Sequence, residues 1–266
     1  MPIAQVNRVR LHYEVTGEGQ SCLLISGVGF GGWVWRYQIA AFSTHFRVIT
    51  FDNRGVGQSD KPDETYTIDT FVTDTKGLLD ALQIQKAHVL GVSLGGMVAQ
   101  QLALSHPQRV DRLILCSTVF GGPNVVLPSM EVLQFMAQPS GTPEERFTKG
   151  LQFSFAQGFV ERHPEEVVFI RQKMSEHRQP DYAYRRQVMV PLSFNAEPFL
   201  SKIERPTLVL AGDQDQAVPV ENARRLVQKL PNAQLKILDG AGHLCFIEQH
   251  ELFNQTVLEF LQGNKP

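Results

Sequence analysis

Residues 91–96 read Gly-Val-Ser-Leu-Gly-Gly, which places a serine between glycines where an apolar stretch changes into a helical one. Residues 87–92 are apolar enough for a buried strand, and residues 97–104 have the small and apolar side chains of a helix. This order predicts a nucleophile elbow, a sharp turn that strains the backbone of Ser93 and needs glycines where a Cβ would collide with the strand and the helix. The hydroxyl is then exposed, and the amide of Leu94 at the helix start can bind a developing oxyanion.

A Gly-x-Ser-x-Gly pattern is common by itself, so the prediction depends on an acid and a histidine further along the chain. A serine hydroxyl becomes a nucleophile when a neutral imidazole takes its proton, and a carboxylate must orient that imidazole. Residues 207–212 form a β-rich apolar run that is followed by two candidate acids, Asp213 and Asp215. The spacing does not separate these two carboxylates. This chemistry needs no metal and no organic cofactor.

His243 has the position that the chemistry requires of a base. It ends the sequence Asp-Gly-Ala-Gly-His, directly after the strand-like residues 235–238. His88 opens the strand that leads to the serine, where a structural role is expected. Other histidines have polar or helix-end surroundings typical of the protein surface; they are His45, His106, His163 and His177. We therefore predict His243 as the general base.

Five segments together resemble the α/β-hydrolase superfamily, over about residues 8 to 262. They are Ser-Gly-Val-Gly at 26–29, Asp-Asn-Arg-Gly-Val-Gly-Gln-Ser-Asp at 52–60, the stretch at 91–96, Gly-Asp-Gln-Asp at 212–215 and Gly-Ala-Gly-His at 240–243. Within it, the chain more closely resembles the small members related to 3-oxoadipate enol-lactonases, cofactor-free haloperoxidases and similar esterases. In that family the last residue of the Gly-x-x-Asp segment is the triad acid. The resemblance therefore implies Asp215 rather than Asp213.

The resemblance also places a second oxyanion donor in the loop after the first core strand. Family members usually have His-Gly there, whereas this chain has Ser26 and Gly27, and enol-lactonase-like members also tend to lack that histidine. The implied donor is the backbone amide of Val28, and a backbone donor does not depend on the side chain. The presence of Ser26 instead of histidine can therefore change the position of the loop, but it does not remove the Val28 donor.

The segment at residues 52–60 contains an aspartate, an arginine and glycines, a composition that can suggest phosphate binding. The chain has no Gly-x-x-x-x-Gly-Lys-Ser/Thr motif and no Gly-x-Gly-x-x-Gly followed by a helix and a suitably placed acid. The resemblance implies a structural loop near the site. We expect Asp52 and Arg54 to pair within the fold.

Composition and charge limit the class of protein. The chain has 266 residues, a net charge of −2 and 20% charged residues, which predict one α/β domain with an insertion. Neither sign of charge dominates and no basic stripe occurs, so no nucleic-acid partner is expected. The start of the chain lacks an apolar signal region, and no apolar run approaches the ~18 residues of a membrane span. We expect no membrane association and a cytoplasmic protein.

The three cysteines, at positions 22, 116 and 245, are read as buried thiols.

Alternating strand and helix patterns predict a mostly parallel, doubly wound α/β sheet. Residues 9–15 alternate as an edge strand. Residues 119–200 contain helical patterns and no convincing core strand. We therefore predict an α/β-hydrolase core of residues 1–118 and 201–266, with a helical cap at residues 119–200. The candidate cap helices lie near residues 130–137, 143–155, 164–176 and 181–189.

The predicted cap is rich in large apolar side chains, most of which are expected to hold it together. Collectively they indicate an apolar acyl or ring pocket. Two tryptophans directly follow the expected oxyanion loop, and three phenylalanines come from the cap. These five are the candidate substrate contacts: Trp33, Trp35, Phe120, Phe135 and Phe155.

These observations predict a serine hydrolase that cleaves a small, largely apolar carboxylic ester or lactone through an acyl-enzyme. A serine at the elbow excludes the haloalkane dehalogenases and epoxide hydrolases of this fold, which use an aspartate there. Haloperoxidase-like perhydrolysis and carbon–carbon bond hydrolysis stay open, because they use the same triad. A slow-turnover ligand receptor or signalling protein is the alternative from a different functional class.

Overall fold

The computed structural model describes residues 2–138 and 140–263, and this part of the chain contains one eight-stranded sheet and eleven α-helices. The strands are β1 (Ile3–Val6), β2 (Val9–Thr16), β3 (Ser21–Ile25), β4 (Arg47–Phe51), β5 (Ala87–Val92), β6 (Val110–Cys116), β7 (Thr207–Gly212) and β8 (Ala233–Leu238). Their order in the sheet is β1-β2-β4-β3-β5-β6-β7-β8. The α/β-hydrolase fold predicted from the sequence is confirmed.

The sheet is parallel from β4 to β8, and the pairs β1–β2 and β2–β4 are antiparallel. Strands β3, β5 and β7 are buried along their whole length, as expected for parallel strands covered by helices on both faces. The strand predicted at residues 9–15 is present as β2, but its predicted place at the edge of the sheet was wrong. The short strand Ile3–Val6 pairs outside β2, and four residues are too few for a recognisable alternation.

Local sequence signals explain where several helices begin. The helices are α1 (Arg36–Phe42), α2 (Ile68–Ala81), α3 (Leu94–Ser105), α4 (Met130–Ala137), α5 (Pro143–Ser154), α6 (Phe159–Arg162), α7 (Pro164–Glu176), α8 (Asp181–Met189), α9 (Glu221–Lys229), α10 (Cys245–Glu248) and α11 (His250–Leu261). Thr67 and Thr142 form capping boxes with the residues three positions later, at the starts of α2 and α5. Proline occupies the first turn of α5 and of α7, where its missing N–H removes no helical hydrogen bond.

The core consists of two apolar clusters, one on each face of the sheet. Helices α2, α3 and α9 pack on one face, and α1, α10 and α11 pack on the other. Typical members of the two clusters are Phe71, Val98 and Leu226 on the first face, and Phe42, Phe246 and Phe253 on the second. In the described part of the chain, no helix combines the length and the apolar character needed to cross a membrane.

Residues 119–200, here called the inserted segment, lie between β6 and β7, and their described part adds no strand to the sheet. The segment contains α4 to α8 and is bound to the loops that follow the parallel strands. The amide of Gly29, after β3, donates to Oε1 of Gln187 at 3.0 Å. The amide of Leu244, after β8, donates to the carbonyl oxygen of Ser154 at 2.9 Å. The inserted segment therefore covers the carboxyl edge of the sheet.

Candidate active site

Ser93 connects β5 to α3 with φ of 55° and ψ of −118°. A residue other than glycine in such a conformation is strained by about 1–3 kcal/mol, which the surrounding packing must sustain. The two flanking glycines make the turn possible. A Cβ on Gly91 would lie 2.2 Å from the carbonyl oxygen of Gly95, and a Cβ on Gly95 would lie 2.1 Å from that of Ile25. The turn has the geometry of a nucleophile elbow.

The backbone of Ser93 is hydrogen-bonded on both sides. Its amide donates to the carbonyl oxygen of Cys116 at 3.0 Å. Its carbonyl oxygen accepts from the hydroxyl of Thr118 at 2.7 Å and from the amide of Gly96 at 3.0 Å. The main chain is thus fixed to β6 and α3, which leaves the half-buried Ser93 side chain as the part of the residue available for chemistry.

The loop after β3 passes directly against Ser93. A Cβ on Gly27 would lie 3.2 Å from the Ser93 Cβ and 3.7 Å from its Oγ. The amides of Val28 and Leu94 donate no hydrogen bond to any residue that the structure describes. Leu94 is the first residue of α3, where the helix dipole favours negative charge. Both expected oxyanion donors are therefore unpaired N–H groups.

Ser26, the residue that stands where the family usually has histidine, fixes the same loop from inside. Its hydroxyl donates to the carbonyl oxygen of Phe30 at 2.7 Å, and its own carbonyl oxygen accepts from Nδ2 of Asn53 at 3.1 Å. The amide of Gly32 donates to Oδ1 of Asp52 at 2.7 Å. The loop is thus tied internally and to the segment after β4, without the histidine.

Asp52 and Arg54 both bind within the fold, but to different partners. Asp52 also accepts from the amide of Gln58 at 2.8 Å. The Arg54 guanidinium is fully buried and donates to Asp74 at 2.7 Å and to Glu64 at 2.6 Å. The segment at residues 52–60 therefore supports the loop after β3 and joins it to α2.

His243 and Asp215 lie on the loops after β8 and β7, and the two side chains are hydrogen-bonded. The Nδ1 atom of His243 is 2.8 Å from Oδ2 of Asp215. The other carboxylate oxygen, Oδ1, accepts from the amides of Ala217 and Val218 at 2.9 and 2.7 Å. These bonds fix the carboxylate, and they favour the imidazole tautomer with the proton on Nδ1 and a free lone pair on Nε2.

Asp213, the alternative acid, lies elsewhere. Its side chain is exposed and its Oδ1 accepts from the amide of Gly240 at 2.7 Å. It stabilises the turn before His243 but makes no hydrogen bond with the imidazole. The structure therefore brings Asp215 rather than Asp213 to His243, as the resemblance implied.

The charge state of His243 results from opposing influences. Burial disfavours the charged ring, but the charge and hydrogen bond of Asp215, together with the charge of Glu248, raise the pKa of His243 above its usual value. Burial also raises the pKa of Glu248 to about 7. Glu248 therefore titrates close to neutral pH.

Ser93 and His243 are not hydrogen-bonded to each other in the described residues. Serine–histidine contacts are commonly long in enzymes without substrate and shorten when substrate binds. The imidazole is nearly enclosed, with 9% of His243 exposed. The chemistry that this arrangement supports is proton transfer at Nε2 of the imidazole.

The other histidines and the cysteines have different environments. His88 is buried, and burial lowers its pKa to about 4. The histidines at positions 45, 106, 163 and 177 are half-buried or exposed, in agreement with the surface positions expected for them.

The three cysteines are buried free thiols, and Sγ of Cys116 lies 3.6 Å from Sγ of Cys245. Within residues 2–138 and 140–263, no three His, Cys, Asp or Glu residues are grouped to hold a metal ion.

The five candidate substrate contacts lie in different surroundings. Trp33 lines a cavity of about 330 Å³ beside Gly29 and Gly32, and Ser93, Asp215 and His243 do not line this cavity. Trp35 is fully buried, with its ring centroid 4.7 Å from that of Phe246. The three phenylalanines are placed as follows: Phe120 is buried in the core, Phe155 stacks on Phe159, and Phe135 meets Phe153 edge to face.

Two polar residues beside the site were missed by the sequence reasoning. Gln187 of α8 accepts from the amide of Gly29, and Glu248 of α10 accepts from the amide of Gly242 at 2.8 Å. Nothing in the local sequence around either residue indicates these contacts, because each joins segments that are distant along the chain or separated by a helix. Only the fold reveals them.

Comparison with known proteins gives the family. The α/β hydrolase fold family model matches residues 23–249. A poly(3-hydroxyalkanoate) depolymerase from Ectopseudomonas oleovorans is 34% identical over 244 residues, which cover 91% of this chain and 84% of the relative. A 2-hydroxy-6-oxononadienedioate/2-hydroxy-6-oxononatrienedioate hydrolase from Paraburkholderia phymatum is 32% identical, over 95% of this chain and 91% of the relative.

The solved structure of the enol-lactonase from Burkholderia xenovorans LB400 is similar over almost the entire chain. It superposes with a TM-score of 0.88 at 29% identity, covering 98% of this chain and 100% of the lactonase. The resemblance stated from the sequence is thereby confirmed. This protein belongs to the α/β hydrolase fold family and is a hydrolase.

Proposed function

We propose that this protein is a serine hydrolase in which Ser93 is the nucleophile, His243 the general base and Asp215 the acid that orients it. The observation that carries the proposal is the hydrogen bond of 2.8 Å between His243 Nδ1 and Asp215 Oδ2, on loops at the same sheet edge as the strained Ser93 turn. Three residues of the required types, separated by up to 150 positions, lie after β5, β7 and β8 at the carboxyl edge of the sheet, where the fold leaves unpaired N–H donors.

The reaction has two halves. Nε2 of His243 takes the proton from Ser93 Oγ while Oγ attacks the ester carbonyl carbon, and the amides of Val28 and Leu94 bind the resulting oxyanion. The Nε2–H then gives its proton to the leaving oxygen, and an acyl-serine remains. In the second half Nε2 takes a proton from water, the hydroxide attacks the acyl carbon, and the proton returns to Oγ. Asp215 stabilises the imidazolium that forms in each half.

The proposed substrate is a small, largely apolar carboxylic ester or lactone. The inserted segment, which we propose as the cap of this enzyme, contributes Phe155 and Phe159 to the same buried apolar cluster as Leu244 of the His243 loop. A Cβ on Gly242 would lie 2.6 Å from the carbonyl carbon of Phe155, so this part of the segment packs against the residue before the base. Trp33 supports the proposal from the opposite loop, since it follows the Val28 donor. The similar solved structure is named an enol-lactonase and the relative from Ectopseudomonas oleovorans a poly(3-hydroxyalkanoate) depolymerase, and these names support a substrate of this class.

Carbon–carbon bond hydrolysis is the second candidate. The relative from Paraburkholderia phymatum is named for this class of substrate and aligns with 95% of the chain. The same triad serves it if the imidazole protonates carbon instead of the leaving oxygen.

The deciding experiment compares wild type with Ser93→Ala on p-nitrophenyl esters from acetate to decanoate, and on a 2-hydroxy-6-oxo-dienoate. A burst of nitrophenol followed by slower turnover, with an optimum at one chain length and no activity in the variant, supports the acyl-enzyme. Turnover of the dienoate alone supports the second candidate. Turnover of the esters or of the dienoate that Ser93→Ala retains at the wild-type rate would contradict both.

A further inference from the structure

We infer that Glu248 is a positioning residue that ties the His243 loop to the inserted segment, and that the tie is complete only while its carboxyl group is ionised. The inference deepens the function proposed above and rests on it, because it treats His243 as the base. Glu248 ends α10, five positions after His243. Among the described residues it makes no hydrogen bond with the side chain of His243 or Asp215, so we expect its effect to pass through the backbone and through its charge.

One carboxylate connects two separate segments. Oε1 of Glu248 accepts from the amide of Gly242, the residue before His243, at 2.8 Å. Oε2 accepts from the amide of Ala156, two positions after the end of α5, at 3.1 Å. The residue that precedes the base and the inserted segment are thus bound to the same side chain.

A second contact holds the other side of His243. The amide of Leu244 donates to the carbonyl oxygen of Ser154 at 2.9 Å. Gly242 also lies so close to the inserted segment that a Cβ there would be 2.6 Å from the amide nitrogen of Ala156. The residues directly before and after His243 therefore both contact the inserted segment. Of these two contacts, only the one made through Glu248 involves a group that can titrate.

Ionisation decides how strongly Glu248 binds the two amides. The carboxylate has two acceptor oxygens, and each faces an N–H donor. Protonation turns one oxygen into a hydroxyl, which accepts a hydrogen bond more weakly than a carboxylate oxygen, so one of the two bonds is weakened. Burial raises the pKa of Glu248 to about 7, and the nearby Asp215 acts in the same direction, against the amide hydrogen bonds and the Arg162 charge. The tie therefore weakens as the pH falls below neutral.

Glu248 also acts on the base through its charge. Its carboxylate is one of the groups that raise the pKa of His243, after Asp215. A neutral residue at position 248 removes that contribution, so the His243 pKa falls and the acid limb of the pH–rate profile moves to lower pH. A residue with a purely structural role does not move that limb.

Two variants separate the effect of the length of the Glu248 side chain from the effect of its charge. Glu248→Gln keeps the length and loses the charge, whereas Glu248→Asp keeps the charge and loses the reach to one amide. The matched control is Glu251→Gln, an exposed glutamate on α11. The measurement is kcat and KM for p-nitrophenyl acetate from pH 5 to pH 9.

We expect both Glu248 variants to lower kcat about 10- to 100-fold with little change in KM, since the base is misplaced but the substrate contacts stay. Only Glu248→Gln should also move the acid limb to lower pH. The control should match wild type in both respects. Unchanged kcat in both Glu248 variants, or an acid limb that stays in place in Glu248→Gln, overturns the inference.

Amide hydrogen exchange of the wild-type protein tests the tie without substituting any residue. After correction for intrinsic rates, peptides that contain Ala156 and Gly242 should be more protected at pH 8 than at pH 6. Equal protection at the two pH values overturns the titratable tie even if a variant fails to fold. Because this measurement needs no turnover, its outcome is distinct from that of the Ser93→Ala experiment, which tests the proposed function.

Discussion

The two ends of the parallel sheet each carry a buried histidine beside an aspartate, and the two pairs behave in opposite ways. At the carboxyl edge, Nδ1 of His243 is 2.8 Å from Asp215 and the pKa of the imidazole is raised. At the amino edge, Nδ1 of His88 is 3.5 Å from Asp111 and burial lowers the imidazole pKa to about 4. Both histidines are buried beside an aspartate, yet His243 is suited to accept a proton and His88 stays neutral.

The difference lies in what each carboxylate already binds. The Asp111 carboxylate is bound by the ammonium group of Lys86 at 2.6 Å and by the side-chain Nε2 of Gln20 at 2.7 Å. Neither ring nitrogen of His88 has a hydrogen-bond partner among the described residues. Asp215 binds only backbone amides with one oxygen and so has its other oxygen free for the imidazole. Burial lowers the pKa of His88 more than the charge of Asp111 raises it, and the charges of Arg112 and Lys86 lower it further. Asp215 raises the pKa of His243 through its charge and also through a hydrogen bond to the ring.

The largest expected effect on activity tests whether the catalytic residues lie only at the carboxyl edge of the sheet. Ser93→Ala removes the proposed nucleophile and should lower kcat/KM on a p-nitrophenyl ester by about 10⁴ to 10⁶. His88→Leu, at the other end of β5, should leave kcat/KM within about twofold, because it lies far from any reacting atom. A comparable loss in His88→Leu would mean that the two edges are not functionally distinct.

The acid of the pair gives the next largest effect. Asp215→Asn keeps the shape but favours the wrong imidazole tautomer, and kcat should fall about 10⁴-fold near neutral pH. Asp213→Asn is the matched control, since its amide oxygen can still accept from Gly240 and its side chain is remote from the ring. Steady-state rates on the same ester check both variants. If Asp213→Asn lost more activity than Asp215→Asn, the assignment of the acid would be reversed.

The amino-edge histidine predicts a pH effect on stability. Folding lowers the pKa of His88 to about 4 from an ordinary value of 6.5, so the unfolded chain binds this proton first as the pH falls. The free energy of unfolding should therefore decrease from pH 6.5 to pH 4, by roughly 3 kcal/mol from this residue. His88→Leu should remove that part of the decrease. Urea unfolding at pH 7, 5.5 and 4 measures it, with exposed His45→Gln as the control. An equal decrease in wild type and His88→Leu would contradict the assignment.

Much of the carboxyl edge could be predicted from the sequence because its geometry depends on local rules. Close approach of strand and helix around Ser93 requires glycine at positions 91 and 95, and glycines are visible in a sequence. The predicted cap helices also agree with α4, α5, α7 and α8 to within one residue, since their apolar periodicity and proline starts are local signals.

The remaining features depend on contacts between distant segments. Glu248, Gln187 and the strand Ile3–Val6 carry no local signal for their partners. An aromatic side chain that lines a pocket has the same sequence pattern as one in the core, so Trp33 and the fully buried Trp35 could not be distinguished. The charge states of His88 and His243 likewise follow from which groups the fold places beside each aspartate.

The smallest effect concerns the loop that faces the pair at the carboxyl edge. Ser26→Ala removes the 2.7 Å hydrogen bond to the carbonyl oxygen of Phe30 in a fully buried position. The Val28 amide should then be displaced rather than lost, so kcat should fall about tenfold, less than the 10²- to 10³-fold typical when an oxyanion donor is deleted. Ser105→Ala is the matched control, because its hydroxyl also donates to a backbone carbonyl at 2.7 Å but at the exposed carboxyl end of α3. Equal kcat in both variants would show that the loop holds its geometry without Ser26, through Asn53 and Asp52 alone.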